Sequence, residues 1–320
     1  MLDASDPELP DRIIDQPAEV AHGTSARSGI VAALAIGALP IALVASSRRA
    51  LAQSSLPTAI KSVLDFALAL EIFENEFYKA VLGTSASAAQ NDAFATVRAA
   101  AATVPGLVNS LQQIQKHEAA HVTTLQGAGA TNILGLDATK FDFTGARGSG
   151  NGPFAKATTD LPFLLQMAQA LEDTGVRAYK GQVANLMTQP VILEAALRIH
   201  SVEARHASRI RRIRRASAGA PESVRYSGTV RGGGFAAAGA TDLGTQPDAV
   251  TAVFAAVYGP GADAVAAPSE SNVTQAGVNL SALTLPSGIG VDAAQEAFDE
   301  PLARADVIAI VQPFFIPTIT

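Results

Sequence analysis

The sequence repeats one spacing of acidic residues, tyrosines and histidines, and this repeat constrains the fold more than any other feature. Glu71 is followed seven residues later by Tyr78, and Glu172 is followed seven residues later by Tyr179. A Glu-x-x-His sequence comes after each of these pairs, at Glu118–His121 and at Glu203–His206. Because residues three apart on an α-helix point to the same side, each half of the chain presents two carboxylates and one imidazole. The repeat therefore predicts two similar helical halves.

The spacing of apolar residues predicts four long helices with a long link between the second and the third. The first stops at Gly83, and Pro190 can open the fourth at its first turn. The segment 127–157 is rich in Gly, Thr and Asn and is too long for a tight connection, so we predict a crossover. An Ala-rich helical stretch at 91–103 precedes the second helix. The predicted long helices cover residues 57–82, 107–126, 161–187 and 191–217.

Residues 218–320 differ in character, with three consecutive glycines at 232–234 and scattered prolines. They contain too many large apolar side chains for a free linker, among them Phe254, Phe298, Phe314 and Phe315. We predict an irregular C-terminal tail packed on the bundle, with short helices at 247–258, 292–298 and 303–311. The predicted fold is all-α, with a four-helix bundle at 53–217 that has one long crossover between its second and third helices.

The N-terminal segment, residues 1–52, carries an apolar run at 29–46. The run is followed by Ala50-Leu51-Ala52, which is typical of a signal-peptidase site, so we expect a cleaved export signal and a mature chain that begins near Gln53. An uncleaved membrane anchor is the alternative, because the region before the run is acidic and two arginines, at 48–49, follow it instead of preceding it. Both alternatives predict an exported protein of the periplasm or cell envelope.

The composition excludes several classes of protein. Hydrophobic residues make up 48% of the 320 residues and charged residues 16%, with a net charge of −6, which argues against a disordered or nucleic-acid-coating chain. The chain has no Cys, which excludes disulfide frameworks, zinc ribbons, iron–sulfur clusters and cysteine nucleophiles. Any metal ion must then be bound by His, Asp and Glu.

The spacing that repeats in the two halves of the chain places acidic residues at helix positions where apolar residues are expected. Glu71 lies one helical turn after Ala67 on the face that should be buried, and Glu172 likewise follows Ala168. A buried unpaired carboxylate is costly or becomes protonated, and four converging carboxylates repel one another, whereas two divalent cations cancel their charge. Carboxylate and imidazole ligands favour iron or manganese. The six candidate ligands are Glu71, Glu118, His121, Glu172, Glu203 and His206.

Six stretches carry a resemblance to a known family: Leu64–Glu71, Glu76–Tyr78, Ala170–Asp173, Glu203–Ala207, Ser271–Val278 and Ala297–Leu302. They resemble the bacterial ferritin-like domain family that is related to plant desiccation-related proteins. The resemblance implies a ferritin-like four-helix bundle with a bridged centre of two iron or manganese ions. It also implies that Glu118 and Glu203 bridge the two ions. Glu71 and Glu172 would then be terminal ligands, and His121 and His206 would each bind one ion.

Two functions fit these expectations. The first is an exported dimetal protein that handles oxygen, peroxide or ferrous iron. Its partners would be metal ions and small oxidants, and as an enzyme it would be a ferroxidase or would dismutate peroxide. The second is a non-catalytic scaffold of the envelope that protects against desiccation or other stress, with a structural or vestigial metal site. We expect no nucleic-acid partner, although the fourth helix ends in a cluster of arginines. A homo-oligomer and a membrane tether through the N-terminal segment are further expectations.

The residues around the six candidates leave alternatives open. Tyr78 and Tyr179 are either core tyrosines with satisfied hydroxyls or groups that contact the metal ligands from outside. Glu74 is expected to face solvent instead of adding a ligand, and His117 is expected to lie off the ligand face. His200 is expected at the surface. Asp173 is expected at the surface or against a ligand.

Overall fold

The computed structural model describes residues 56–217, 248–284 and 297–320. The helices in these ranges are α1 (Thr58–Leu82), α2 (Ala88–Ala93), α3 (Ala95–Ala102), α4 (Leu107–Gly127), α5 (Leu161–Leu186), α6 (Pro190–Ser217), α7 (Asp248–Tyr258) and α8 (Arg304–Val311). Strands β1 (Thr274–Gln275) and β2 (Val278–Asn279) pair antiparallel, with Thr274 opposite Asn279. Single turns of 3₁₀-helix lie at Ala138–Lys140, Ala155–Thr158, Leu280–Ala282 and Gln312–Phe314.

The long helices α1, α4, α5 and α6 form a four-helix bundle. Helix α1 packs most extensively on α4, and α5 on α6, while α1–α5 and α4–α6 contacts join the two pairs. Local signals set the helix ends: Gly83 ends α1 in the left-handed conformation at φ 77°, and the side chain of Asp160 accepts from the Phe163 backbone N–H to cap α5. The predicted all-α bundle with a long crossover between its second and third helices is confirmed.

A cluster of aromatic side chains packs the crossover against α1. Phe73 of α1 is 1% exposed, and its ring lies 5.2 to 6.0 Å from four others: Phe141, Phe143, Phe314 and Phe315. The first two belong to the crossover and the last two to the C-terminal segment, which also pairs with the crossover by a bridge between Phe141 and Phe315. Burial of these rings therefore joins three distant parts of the chain against one helix.

The Ala-rich stretch 91–103 is not one helix, contrary to the prediction. The structure has two short helices, α2 and α3, with a bend at Phe94. Phe94 is 1% exposed, and its ring packs edge-on against Phe77 and Phe143. The bend directs this ring into the aromatic cluster, and the tertiary contact outweighs the helical preference of the surrounding alanines.

Arg177 of α5 anchors the C-terminal residues to the bundle. Its side chain is 1% exposed, and Nε donates to the carbonyl of Glu300 at 3.0 Å while also lying 3.2 Å from a carboxylate oxygen of Glu270. Its two terminal nitrogens donate to four further carbonyls, those of Val257, Gly259, Pro268 and Pro301. Helices α7 and α8 contact α5 beside this residue.

Several of the predicted segments lie wholly or partly outside the described residues. The N-terminal segment 1–52 and most of the helix expected at 292–298 lie outside the described residues, and Ala297 and Phe298 are not helical. The boundaries of the bundle at 53 and 217 and of the tail at 218 stay predictions. In the three described ranges, no helix has both the length and the apolar character needed to cross a membrane.

Replacing Arg177 by methionine should destabilise the protein strongly. Arg177→Met keeps a long side chain but removes a hydrogen-bond donor from several buried carbonyls and the cation beside the Glu270 carboxylate, which costs about 3–5 kcal/mol in the free energy of unfolding. Urea unfolding measures this loss. Arg198→Met is the control, because Arg198 is largely exposed and pairs only with the equally exposed Glu194 in the described contacts, so a change within about 0.5 kcal/mol is expected. Equal effects of the two substitutions would contradict the anchoring role.

Candidate metal centre

Six ionisable side chains from the four long helices meet inside the bundle. Each of the glutamates is 0% exposed, and the two histidines are 7% and 4% exposed. Glu71 comes from α1, Glu172 from α5, and each Glu-x-x-His places its two side chains on the inner face of α4 or α6. The structure thus brings together all six candidate ligands, namely Glu71, Glu118, His121, Glu172, Glu203 and His206.

The six residues form two overlapping groups of four. One group contains Glu71 and His121, the other contains Glu172 and His206, and both contain Glu118 and Glu203. In each group every residue offers one ligand atom, and these atoms all lie within 4.8 Å of one another. The two shared carboxylates thus belong to both groups, and each group has one Glu and one His of its own.

The first group closes around Nδ1 of His121. This nitrogen lies 3.0 Å from Oε2 of Glu71, 3.1 Å from Oε2 of Glu118 and 3.0 Å from Oε1 of Glu203. A ring nitrogen carries at most one hydrogen, so it cannot donate to three carboxylates at once. Three oxygens and one nitrogen that converge at such distances are the donor set of a cation.

The second group is similar around Nδ1 of His206. This nitrogen lies 2.8 Å from Oε1 of Glu118, 3.2 Å from Oε2 of Glu172 and 3.9 Å from Oε2 of Glu203. Both histidines therefore present Nδ1 to the carboxylates. The similarity of the two groups in space follows from the repeat in sequence.

The donor atoms fit a pair of divalent cations. Oε1 of Glu118 and both carboxylate oxygens of Glu203 are buried and accept no well-aligned hydrogen bond among the described residues, although a histidine Nδ1 lies 2.8 Å from the first and 3.0 Å from Oε1 of Glu203. Unpartnered buried carboxylate oxygens are strongly unfavourable unless a proton or a cation compensates them. Oxygen and imidazole donors without thiolates suit iron or manganese.

Aliphatic layers close the centre on both sides. One helical turn before each Glu-x-x-His lies a buried isoleucine, Ile114 or Ile199, and one turn after it lies Leu125 or Ile210. These side chains are at most 4% exposed. They keep water away from the carboxylates and strengthen every electrostatic interaction among them.

The comparison with protein families agrees with this geometry. The family model described as a ferritin-like domain matches residues 61–216, just under half of the chain and nearly all of the four-helix bundle. Residues 61–216 are a ferritin-like domain. Neither a curated protein nor a solved structure shows a significant match to the chain.

Two tyrosines link the halves of the ferritin-like domain across the centre. The hydroxyl of Tyr78 on α1 donates to Oε1 of Glu172 on α5, and the hydroxyl of Tyr179 on α5 donates to Oε1 of Glu71 on α1 at 2.5 Å. Burial and the adjacent carboxylates raise the pKa of both tyrosines well above the usual value, so they remain donors. Both tyrosines are thus buried with satisfied hydroxyls, as the first alternative has it, and the partners of those hydroxyls are candidate ligands, as the second has it.

Glu74 is buried, contrary to the expectation that it faces solvent. Its side chain is 4% exposed, and burial together with the carboxylates of Glu203 and Glu172 raises its pKa well above the usual value. Gly175 makes the necessary space, because a Cβ there would lie 3.3 Å from Oε2 of Glu203 and 3.4 Å from Oε1 of Glu74. Glu74 follows Glu71 by three residues, and Gly175 follows Glu172 by three. The signals for its burial were the helical spacing and the glycine at the matching position.

His117 contacts the centre of the ferritin-like domain from its surface, although we expected it to lie off the ligand face. The residue is exposed, but its Nδ1 lies 2.9 Å from Nε2 of His206, with the two rings nearly parallel. Burial and the charge of His206 lower the pKa of His117, which favours a neutral ring that accepts the Nε2–H. Such a contact fixes the tautomer that presents Nδ1 of His206 to the carboxylates.

Asp173 and His200 lie away from the six residues. Asp173 accepts hydrogen bonds from the Tyr258 hydroxyl at 2.8 Å and from Arg211 at 3.0 Å, and it is buried by these partners. His200 is half-buried, with Nδ1 3.1 Å from the carbonyl of Val176. Neither of them adds a donor atom to the two groups.

The charges within the centre are strongly coupled. Burial raises the pKa of Glu118 to about 7, and burial and Glu118 raise that of Glu203 well above the usual value. Burial alone would lower the pKa of His206, but Glu172 and Glu118 outweigh it and raise this pKa to about 11. Burial would raise the pKa of Glu71, but His121 outweighs it and lowers this pKa. Protons therefore provide the counter-charge when metal ions do not.

Metal binding by the ferritin-like domain should release protons. A pKa of about 11 keeps His206 protonated at pH 7, a pKa of about 7 leaves Glu118 partly protonated, and the raised pKa of Glu203 favours its protonated form, whereas a cation needs the deprotonated forms. Titration of the metal-free protein with Mn²⁺ in two buffers of different ionisation enthalpy measures this release, for which we expect about one proton or more per ion. The apparent affinity should rise as the pH is raised from 6 to 8. Binding without proton release would show that the carboxylates are not compensated in this way.

Proposed function

We propose that the ferritin-like domain binds two ions of iron or manganese and uses them on dioxygen, peroxide or ferrous iron. The observation that carries this proposal is the sharing of Glu118 and Glu203 by two groups of buried donor atoms. A single structural ion would need only one such group. Two groups with matched donors favour a pair of ions that exchange electrons with one small substrate.

Each residue has a defined part in the proposed centre. Glu118 and Glu203 would be shared by both ions, Glu71 and His121 would hold one ion, and Glu172 and His206 would hold the other. Such a pair, when bound, can give one electron from each ion to dioxygen, which takes up two protons and leaves as hydrogen peroxide, or it can disproportionate peroxide.

The remaining side chains orient the ligands and move protons. Tyr78 and Tyr179 hold the carboxylates of Glu172 and Glu71 in place through their hydroxyls. Burial and the neighbouring carboxylates raise the pKa of Glu74 and so favour its protonated form, and its carboxyl group lies with that of Glu203 around Gly175. Glu74 can therefore supply one of the protons that reduction of dioxygen consumes.

We also propose that the protein is exported and works in the periplasm or cell envelope. The apolar run at 29–46 and the Ala-x-Ala sequence that follows it support this location. The relation to desiccation-related proteins supports a role in stress protection, for which control of metal ions and oxidants would be one chemical basis.

The metal content of the purified protein tests the dimetal centre. The full chain, purified without chelators or reconstituted anaerobically, should contain about two iron or manganese ions per chain, and the double variant Glu118→Gln/Glu203→Gln should lose both, because it removes both bridges. Glu194→Gln is the matched control, since Glu194 lies on α6 with Glu203 but is exposed. One ion per chain, or none, would contradict the proposed centre.

Turnover separates the redox function from a scaffold. The metal-loaded protein should oxidise added Fe²⁺ with dioxygen or disproportionate hydrogen peroxide faster than the Glu118→Gln/Glu203→Gln variant, and Glu194→Gln should match the wild-type rate. Absorbance of Fe³⁺ and an oxygen electrode follow the two reactions. Two tightly bound ions without either reaction would support the alternative, a stress-protection scaffold with a structural metal site.

A further inference from the structure

An apolar cavity lies inside the bundle next to one edge of the candidate centre. Its volume is about 30 Å³, and its lining comes from α1, α4, α5 and α6. Small residues contribute much of this lining: Ala67, Ala128, Ala178, Ala195 and Ala196. Leu and Ile side chains supply half of the rest. Because a water molecule needs roughly 10–15 Å³, the cavity has room for only one or two very small molecules.

The cavity offers almost nothing that a polar molecule could bind. Three polar residues line it, and each has a hydrogen-bond partner outside the cavity. The Thr124 hydroxyl donates to the carbonyl of Ala120, the Tyr179 hydroxyl donates to Glu71, and Gln182, which is half-buried, accepts from Asn185. A small cavity of this kind stays dry and takes up apolar atoms or molecules in preference to water.

The position of the cavity connects it to the centre. Tyr179 forms part of its wall and bonds to Glu71, and Leu70, the residue before Glu71, forms another part. On the other side Val63, Ala67 and Thr124 are only half-buried, which places the outer end of the cavity near the protein surface. The cavity thus extends from near the surface to the ring of Tyr179.

We propose that this cavity is the site where dioxygen is held on its way to the Glu71 side of the centre. The inference rests on the proposed function and narrows its substrate to dioxygen, because hydrogen peroxide and hydrated ferrous ions would lose their hydrogen bonds in such a cavity. Dioxygen is apolar and small enough for the available volume. Tyr179 separates the cavity from the carboxylates and is the last side chain that the molecule passes.

Xenon tests the binding site without any metal ion. A crystal of the full chain pressurised with xenon should show a xenon atom between Ala67, Ala178 and Ala196, because xenon occupies small apolar cavities. The absence of a xenon atom there would overturn the proposal. Since this experiment does not depend on metal content, it separates a failure of the cavity from a failure of the proposed function.

Filling the cavity tests the route. Ala178→Leu should abolish xenon binding and slow the oxidation of bound Fe²⁺ by dioxygen several-fold, while oxidation by hydrogen peroxide changes much less. Ala184→Leu is the matched control, because Ala184 lies on the same helix, is exposed and does not line the cavity. Ala67→Leu, at the half-buried outer end, is the second variant if Ala178→Leu does not fold. Loss of xenon with an unchanged rate for dioxygen would overturn the route.

Discussion

The burial of four glutamates at the centre of the bundle is the constraint on which the rest of this structure depends. All four are fully buried, and aliphatic side chains one helical turn away keep water from them. Repulsion among such carboxylates is large at low dielectric, so they require cationic partners or protons. The carboxylate charge is reduced or compensated in three ways: by the two histidines, by the raised pKa of Glu118 and Glu203, and by the hydrogen bonds from the tyrosine hydroxyls. Two metal ions would compensate it more completely, because each ion compensates two charges.

The two halves of the ferritin-like domain are alike in their ligands and different around them. Glu74 in the first half corresponds to Gly175 in the second, and the missing side chain of Gly175 gives the carboxylates of Glu74 and Glu203 their space. His117 in the first half corresponds to Val202 in the second, and in the described contacts His206 forms a hydrogen bond with an imidazole of the neighbouring helix whereas His121 does not. The repeated set of candidate ligands therefore has different neighbours in the two halves.

The helices and the meeting of the six candidates follow from local rules, which explains why the sequence predicted them. Glu-x-x-His fixes two side chains on one helix face, and the repeat fixes which helices pair. The burial of Glu74 depended instead on a glycine on another helix, and the contact of His117 depended on the packing of α4 against α6. The role of Arg177 could not be predicted from the sequence either, because its hydrogen-bond partners lie 80 to 124 residues further along the chain. The bend at Phe94 likewise results from packing among distant aromatic rings.

A crystal structure of the metal-loaded protein with anomalous difference maps at the iron and manganese edges tests the central claim most directly. The account predicts two peaks inside the bundle, one bounded by Glu71, Glu118, His121 and Glu203 and the other by Glu118, Glu172, Glu203 and His206. A single peak, or ions bound only outside these two groups, would contradict it.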